Sequence, residues 1–191
     1  MKKLILTALL LGAGLTGPAT AATVTFTGTT VGGPVFARPL EGTPPLDLSG
    51  IGTGVAYDVK SFTVGQSGAY DFLMTGIEPD GWDTFLLLYA DAFDPADPLA
   101  NVLAGNDDLG GIGVSGFDGF GLDAGTTYFA VATGFAAGAE GRYALRVAGP
   151  GAIAAPIPEP ATWAMLLAGF ALAGVAVRAR RPRTATLSAM A

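Results

Sequence analysis

Oxygen-bearing side chains crowd one interval of this sequence. Asp80, Asp83, Asp91, Asp94, Asp97, Asn106, Asp107 and Asp108 all fall between positions 80 and 108. The chain has neither histidine nor cysteine, so a metal ion here would be held by oxygen alone. That selects a hard cation, and Ca2+ suits carboxylate and amide oxygens best. Asp80, Asp83, Asn106, Asp107 and Asp108 are the candidate ligands. Their spacing follows neither an EF-hand loop nor a calcium-binding nonapeptide repeat. The same residues therefore also read as turn formers in solvated loops, with Asp94-Pro95 and Asp97-Pro98 starting turns. No other cofactor is expected.

Catalytic constellations are scarce. Without histidine there is no Ser-His-Asp triad and no His-ligated zinc; without cysteine there is no thiol nucleophile, thiolate metal site or lipid-bearing N-terminal cysteine. Paired carboxylates can cleave glycosides, but no pair stands out by its spacing. A non-enzymatic protein is expected. Trp82, Phe85, Tyr89, Phe93, Phe117 and Phe120 could form a sugar-stacking face or pack a core, and core packing is the simpler reading.

Charge is segregated along the chain. Of ten Lys and Arg, Lys2 and Lys3 open the sequence, and Arg178, Arg180, Arg181 and Arg183 lie near its end. Residues 22–157 keep only Arg38, Lys60, Arg142 and Arg146 against fifteen acidic residues, a net charge of −11. Such a body has no basic footprint for nucleic acid and no electrostatic attraction to an anionic membrane. With no disulfides available, its stability must come from packing, with or without a metal.

The two ends have their own grammar. Met1-Lys2-Lys3, the apolar stretch 4–15 and the small residues Ala19 and Ala21 form a signal peptide over residues 1–21. Signal peptidase would cut after Ala21, or after Ala22 with nearly equal fit. At the other end stand Pro158-Glu159-Pro160, an apolar run over 161–177, the four arginines, and a short tail over 184–191. Proline fixes φ and biases its predecessor away from helix, so Glu159 sits in an extended, accessible backbone. As a helix the apolar run spans roughly 25 Å at about 1.5 Å per residue, against about 30 Å of hydrocarbon. It is short for a permanent anchor. The arginines would stay cytoplasmic and stop translocation.

This arrangement of motif, apolar segment and basic stop resembles the PEP-CTERM sorting signal of exported proteins in Gram-negative bacteria that make extracellular polysaccharide. The resemblance implies that Pro158, Glu159 and Pro160 are read by an exosortase, a membrane enzyme, after brief inner-membrane insertion. It implies release to the cell surface or exterior, with exopolysaccharide of a biofilm matrix as the associated partner. The tail at 184–191 departs from the pattern, since many such proteins end soon after the basic cluster.

Between the ends the pattern is β. Alternation over 23–29 (TVTFTGT) gives an opening strand, and the Gly- and Pro-rich stretch 32–54 reads as an extended connection, making 22–54 an N-terminal arm, with a long crossover inside the fold as the alternative. A sandwich domain over 55–148 follows. Val55, Tyr57 and Val59 share one face, and Phe62 and Val64 continue after a phase slip at Lys60-Ser61, a candidate bulge or bend. Residues 65–68 form a turn, with Val64 and Tyr70 flanking it as in a hairpin. The continuous apolar run 84–90 (TFLLLYA) predicts a strand covered on both faces. Short strands follow at 99–104 and 116–122, then at 127–133 and 141–148. In the last, Tyr143, Leu145 and Val147 face inward and Arg142, Ala144 and Arg146 outward, an edge-type pattern. Residues 149–157 (GPGAIAAPI) read as a mobile linker. Seven or eight short strands without an amphipathic helix predict an all-β sandwich or jelly roll, followed by one C-terminal hydrophobic helix.

The order Gly81-Trp82-Asp83-Thr84-Phe85-Leu86-Leu87-Leu88-Tyr89, then Asn106-Asp107-Asp108, then 122–131 (LDAGTTYFAV) and 141–147 (GRYALRV) resembles the bacterial pre-peptidase C-terminal (PPC-like) β-sandwich. Such modules accompany secreted enzymes, and some bind calcium or matrix polymers. No catalytic partner domain is evident here, so only the fold and a Ca2+-dependent polysaccharide-binding role carry over as expectations.

Overall fold

The computed structural model describes residues 21–155 together with 170 and 171. The signal peptide other than Ala21, the motif at 158–160, the apolar segment at 161–177 apart from 170 and 171, and the four arginines near the end lie outside the described residues.

Ten strands build two packed sheets. They are β1 (Ala22–Thr29), β2 (Val35–Pro39), β3 (Leu48–Val64), β4 (Gly68–Glu78), β5 (Thr84–Ala90), β6 (Val102–Asn106), β7 (Val114–Leu122), β8 (Thr127–Gly134), β9 (Arg142–Gly149) and β10 (Ile153–Ala154). One sheet runs β1-β9-β4-β7; the other runs β10-β3-β8-β5-β6, with β2 added to β3. Every pairing is antiparallel. This is the sandwich that the alternating pattern predicts.

Two hydrophobic clusters explain the arrangement. Between the sheets, Tyr70, Phe72 and Met74 of β4 and Tyr143, Leu145 and Val147 of β9 meet Phe62, Leu86, Leu88, Tyr128 and Ala130 of the opposing sheet. A second cluster lies on the far face of the larger sheet. There Phe36 and Val55 cover Phe85, Leu87, Tyr89, Val102 and Val131. Strand β5 supplies both clusters from alternate positions, so its apolar residues run without interruption and all of Thr84–Tyr89 is buried.

The second cluster corrects the expected arm. Residues 32–54 are not a structureless connection: they contain β2 and the first part of β3, paired as Val35↔Ala56, Phe36↔Val55 and Ala37↔Thr53. Strand β3 runs 17 residues. Gly54 sits within it at φ 69°, a conformation open to glycine that re-aims the chain between β2 and β8. Frequent Gly and Pro pointed to loop, but an apolar sheet face needing cover prevailed over local propensity.

The same two-sided burial removes the expected bulge. The β3–β8 register is unbroken from Tyr57↔Thr133 to Thr63↔Thr127. Val55, Tyr57 and Val59 face the second cluster, whereas Phe62 and Val64 face the core between the sheets. What looks like a phase slip is a change in which face is apolar. Asp58 and Lys60, on the inter-sheet side, pair at 3.0 Å, and Asp58 accepts a hydrogen bond from the Tyr143 hydroxyl at 2.9 Å.

Three further expectations change. The 65–68 turn is not a hairpin, because β3 and β4 belong to different sheets; it is an arch over the end of the sandwich. Strand β9 is not an edge, since β1 pairs along its whole length, from Ala22↔Gly149 to Thr29↔Arg142. The stretch 149–157 is not free throughout, because β10 pairs with β3 as Ile153↔Val64 and Ala154↔Thr63. Sequence alternation reports burial, and it cannot say which neighbour provides it.

The sheet edge at β6 is closed by a strap. Gly42 and Gly105 exchange backbone hydrogen bonds of 3.0 and 2.8 Å, which blunts an otherwise open edge. A Cβ on Gly105 would lie 2.8 Å from the Leu87 side chain and 3.0 Å from the Leu40 carbonyl, so glycine permits the approach. Because Leu88 is fully buried in the inter-sheet core, Leu88→Ala is expected to cost about 2–5 kcal/mol. Urea unfolding should show a lower midpoint with little change in slope.

Candidate functional site

Strand register assembles the acidic residues. Leu86 pairs with Asn106 and Leu87 with Gly105; continuing that antiparallel register sets the residues before β5 beside those after β6. One carboxylate oxygen from each of Asp83, Asp107 and Asp108 lies within 4.8 Å of the others. Asp83 and Asp107 are half-buried and Asp108 is exposed. Of the five predicted ligands, the fold brings together these three. Asp80 sits exposed in the turn after β4. Asn106 is committed elsewhere: its amide donates to Glu41 at 2.9 Å and its carbonyl accepts from Gly116 N–H at 2.9 Å. It fastens β6 to the strap and to β7. Asp91 lies on a different connection, after β5, at the other end of the strands.

The trio is only partly relieved, by the field of Arg38 on Asp83 and Asp107. Oδ1 of Asp83 and Oδ1 of Asp107 are buried without a hydrogen-bond partner. Burial, reinforced by Asp83 and Asp108, pushes the Asp107 carboxyl up to about 6. Asp83 is also raised, by burial first and then by Asp108. Like charges held close disfavour simultaneous ionisation.

Arg38 is the residue that sequence reasoning passed over. The residue is 2% exposed, and its guanidinium stacks 3.8 Å above the Phe85 ring. It donates to the carbonyls of Pro39 at 2.8 Å and Phe135 at 2.7 Å, and to Ser49 Oγ at 3.3 Å. Its Nε has no partner. Among the described residues it forms no ion pair within the 4.0 Å range, the pairs being Lys60–Asp58 and Arg142–Glu78. Burial lowers its affinity for the proton, opposed by the fields of Asp107, Asp83 and Glu41. A cleft of about 330 Å3 opens beside it, lined by Arg38, Leu40, Glu41, Ile51, Asp107 and Phe135 among others. The available signal is scarcity: Arg38 is one of four cations in an acidic body, and it falls in the Gly- and Pro-rich stretch 32–54.

The predicted aromatics serve packing. Trp82, Phe85, Tyr89 and Phe117 are buried, and Phe93 and Phe120 pack against the two clusters. Ala21 is exposed immediately before β1, where a signal peptidase cut would leave the first strand intact.

The described body is an all-β sandwich with a carboxylate trio at one end, and the chain leaves it through β10 at the other. That defines a β-sandwich protein with an appended C-terminal segment. The family model for the PEP-CTERM protein-sorting motif matches that segment, at residues 156–181. The match contains Pro158, Glu159 and Pro160, together with Arg178, Arg180 and Arg181 of the predicted stop; Arg183 falls just beyond it. The chain thus carries the signal of an exported protein whose C-terminal tail is handled by an exosortase. A search of curated proteins returns no match.

The raised Asp107 makes a signed prediction. Its proton is held up to about pH 6 in the fold but only to about 4 in an unfolded chain. The folded state therefore binds the extra proton, and stability falls as pH rises through that window. In chelator, Asp107→Asn should flatten this slope. At pH 7 it should raise stability by about 1 kcal/mol, after discounting for solvent screening. Denaturant titrations from pH 4 to 7.5 measure it.

Proposed function

We propose that this chain is a non-enzymatic protein of the bacterial surface or extracellular matrix, sorted through its C-terminal tail by an exosortase and associated with exopolysaccharide. The observation that carries the reading is the sorting motif at 156–181 attached to a sandwich that folds without disulfides. Signal peptidase removes the leader after Ala21. The apolar segment then holds the protein in the inner membrane while the motif is presented outside, and cleavage near Pro158-Glu159-Pro160 frees the body. The absence of histidine and cysteine supports a role in display or binding rather than turnover.

Mass spectrometry of the mature protein tests this. The expected species begins at Ala22 and ends near the motif. Pro158→Ala combined with Pro160→Ala should leave the full tail attached and the protein in the membrane fraction. A wild-type chain that still ends at Ala191 would sink the reading.

A second reading concerns the body itself: a Ca2+-dependent polysaccharide-binding module. It is favoured by Asp83, Asp107 and Asp108, whose clustered oxygens include two with no partner. Three carboxylates plus water can meet the six to eight oxygens that Ca2+ takes, and a bound cation would offset the burial and the neighbouring negative charge that raise Asp107. At 100 times its dissociation constant, Ca2+ should stabilise the fold by about 2.7 kcal/mol. Asp83→Asn with Asp108→Asn should abolish that gain. Thermal melts with and without Ca2+ measure the metal step, and calorimetry with the host's exopolysaccharide measures the second. Flat responses in both would remove this reading while leaving the sorting reading intact.

A further inference from the structure

The last residues of the sandwich are seated rather than free. Ile153 and Ala154 pair with Val64 and Thr63, and the Ile153 side chain is buried in the inter-sheet core. Gly65 N–H donates to the Ala152 carbonyl at 2.8 Å. Gly151 N–H donates to the hydroxyl of the buried Tyr70 at 3.2 Å, and that hydroxyl in turn donates to the Gln66 carbonyl at 2.8 Å. A Cβ on Gly149 would overlap the Tyr70 ring. Residues 150–154 are thus laid across the 65–68 arch.

This seat shortens the tether to the sorting motif. Only Ala155, Pro156 and Ile157 separate it from Pro158. At most about 3.6 Å per residue, Pro158 then lies within roughly 14 Å of Ala154. Released back to Gly149, the same chain reaches roughly 32 Å. The difference matters at a membrane, where the headgroup layer alone adds about 5–8 Å to each side of the hydrocarbon. The loops at this end of the sandwich carry the exposed Asp91, Asp94, Asp97 and Asp123 and no Lys or Arg. A short tether would hold that end of the sandwich against the headgroup layer.

We propose that residues 150–154 form a releasable strap that sets the reach of Pro158-Glu159-Pro160, so that strap opening limits how fast the membrane processing enzyme cuts the tail. The strap is a local unit. It is held by one side chain and a few hydrogen bonds at a terminus, and such segments open without unfolding the rest. The inference rests on the exosortase reading above, because it needs an enzyme fixed at the membrane.

The sequence contains no cysteine, so Thr63→Cys with Ala154→Cys creates a unique pair at facing positions of the ladder. In the exporting host, pulse-chase with the oxidised pair should show tail cleavage slowed tenfold or more. Reduction of the same protein should restore the wild-type rate, which also shows that the substitutions leave the fold competent. Inserting six Gly/Ser residues between Ala155 and Pro156 in the oxidised pair should restore cleavage without opening the strap. Wild-type cleavage rates in the oxidised pair would overturn the strap. So would slow cleavage that the longer tether fails to rescue. A wild-type chain never cut at all would overturn the exosortase reading instead, and the two failures are distinguishable.

Discussion

The structure depends on one strand being covered twice. Leu86 and Leu88 of β5 look into the space between the sheets, while Phe85, Leu87 and Tyr89 look the other way. A sheet with two apolar faces cannot stand at the surface of a sandwich, so it needs a further layer. The β2–β3 segment provides it, and that requirement turns a Gly- and Pro-rich stretch into ordered structure. The same covering brings Arg38 onto Phe85 and the 40–47 loop across β6. The carboxylate trio forms where β5 begins and β6 ends, so it too follows from the placement of β5.

Much of this was legible from residue patterns. The apolar run at 84–90 announced a doubly covered strand, and inward Tyr143, Leu145 and Val147 announced one face of β9. The tail was the most legible element because its parts are local: two prolines fix a backbone, an apolar run measures itself against hydrocarbon, and arginines mark a side. What stayed hidden was non-local. No local feature says that Phe36 will share a cluster with Leu87, that β1 will cover β9 and deprive it of an edge, or that Ile153 will find a place in the core. Arg38 was hidden for the same reason. A cation is expected at the surface, and only the assembled layer shows it buried against two aromatic rings.

The candidate site was partly legible. Asp83, Asp107 and Asp108 could be named from composition, but so could Asp80 and Asn106, and only strand register separates them. Asn106 bonds to both Glu41 and Gly116, so its role is to hold neighbouring segments. The trio, by contrast, has acceptors to spare, and burial, added to by neighbouring carboxylates, raises the proton affinity of Asp83 and Asp107. An arrangement that is costly alone would become favourable if a cation neutralised it.

The pairing of β9 has a mechanical consequence. The strand is hydrogen-bonded along its length to β1 on one side and β4 on the other, and the chain continues from its C-terminal end toward the tail. Tension on the tail would first peel β10, whose two residue pairs break one after another. It would then load β9 lengthwise, where both ladders resist in shear and their bonds must yield together. A body tethered through this end would give a little under a light pull and hold under a strong one.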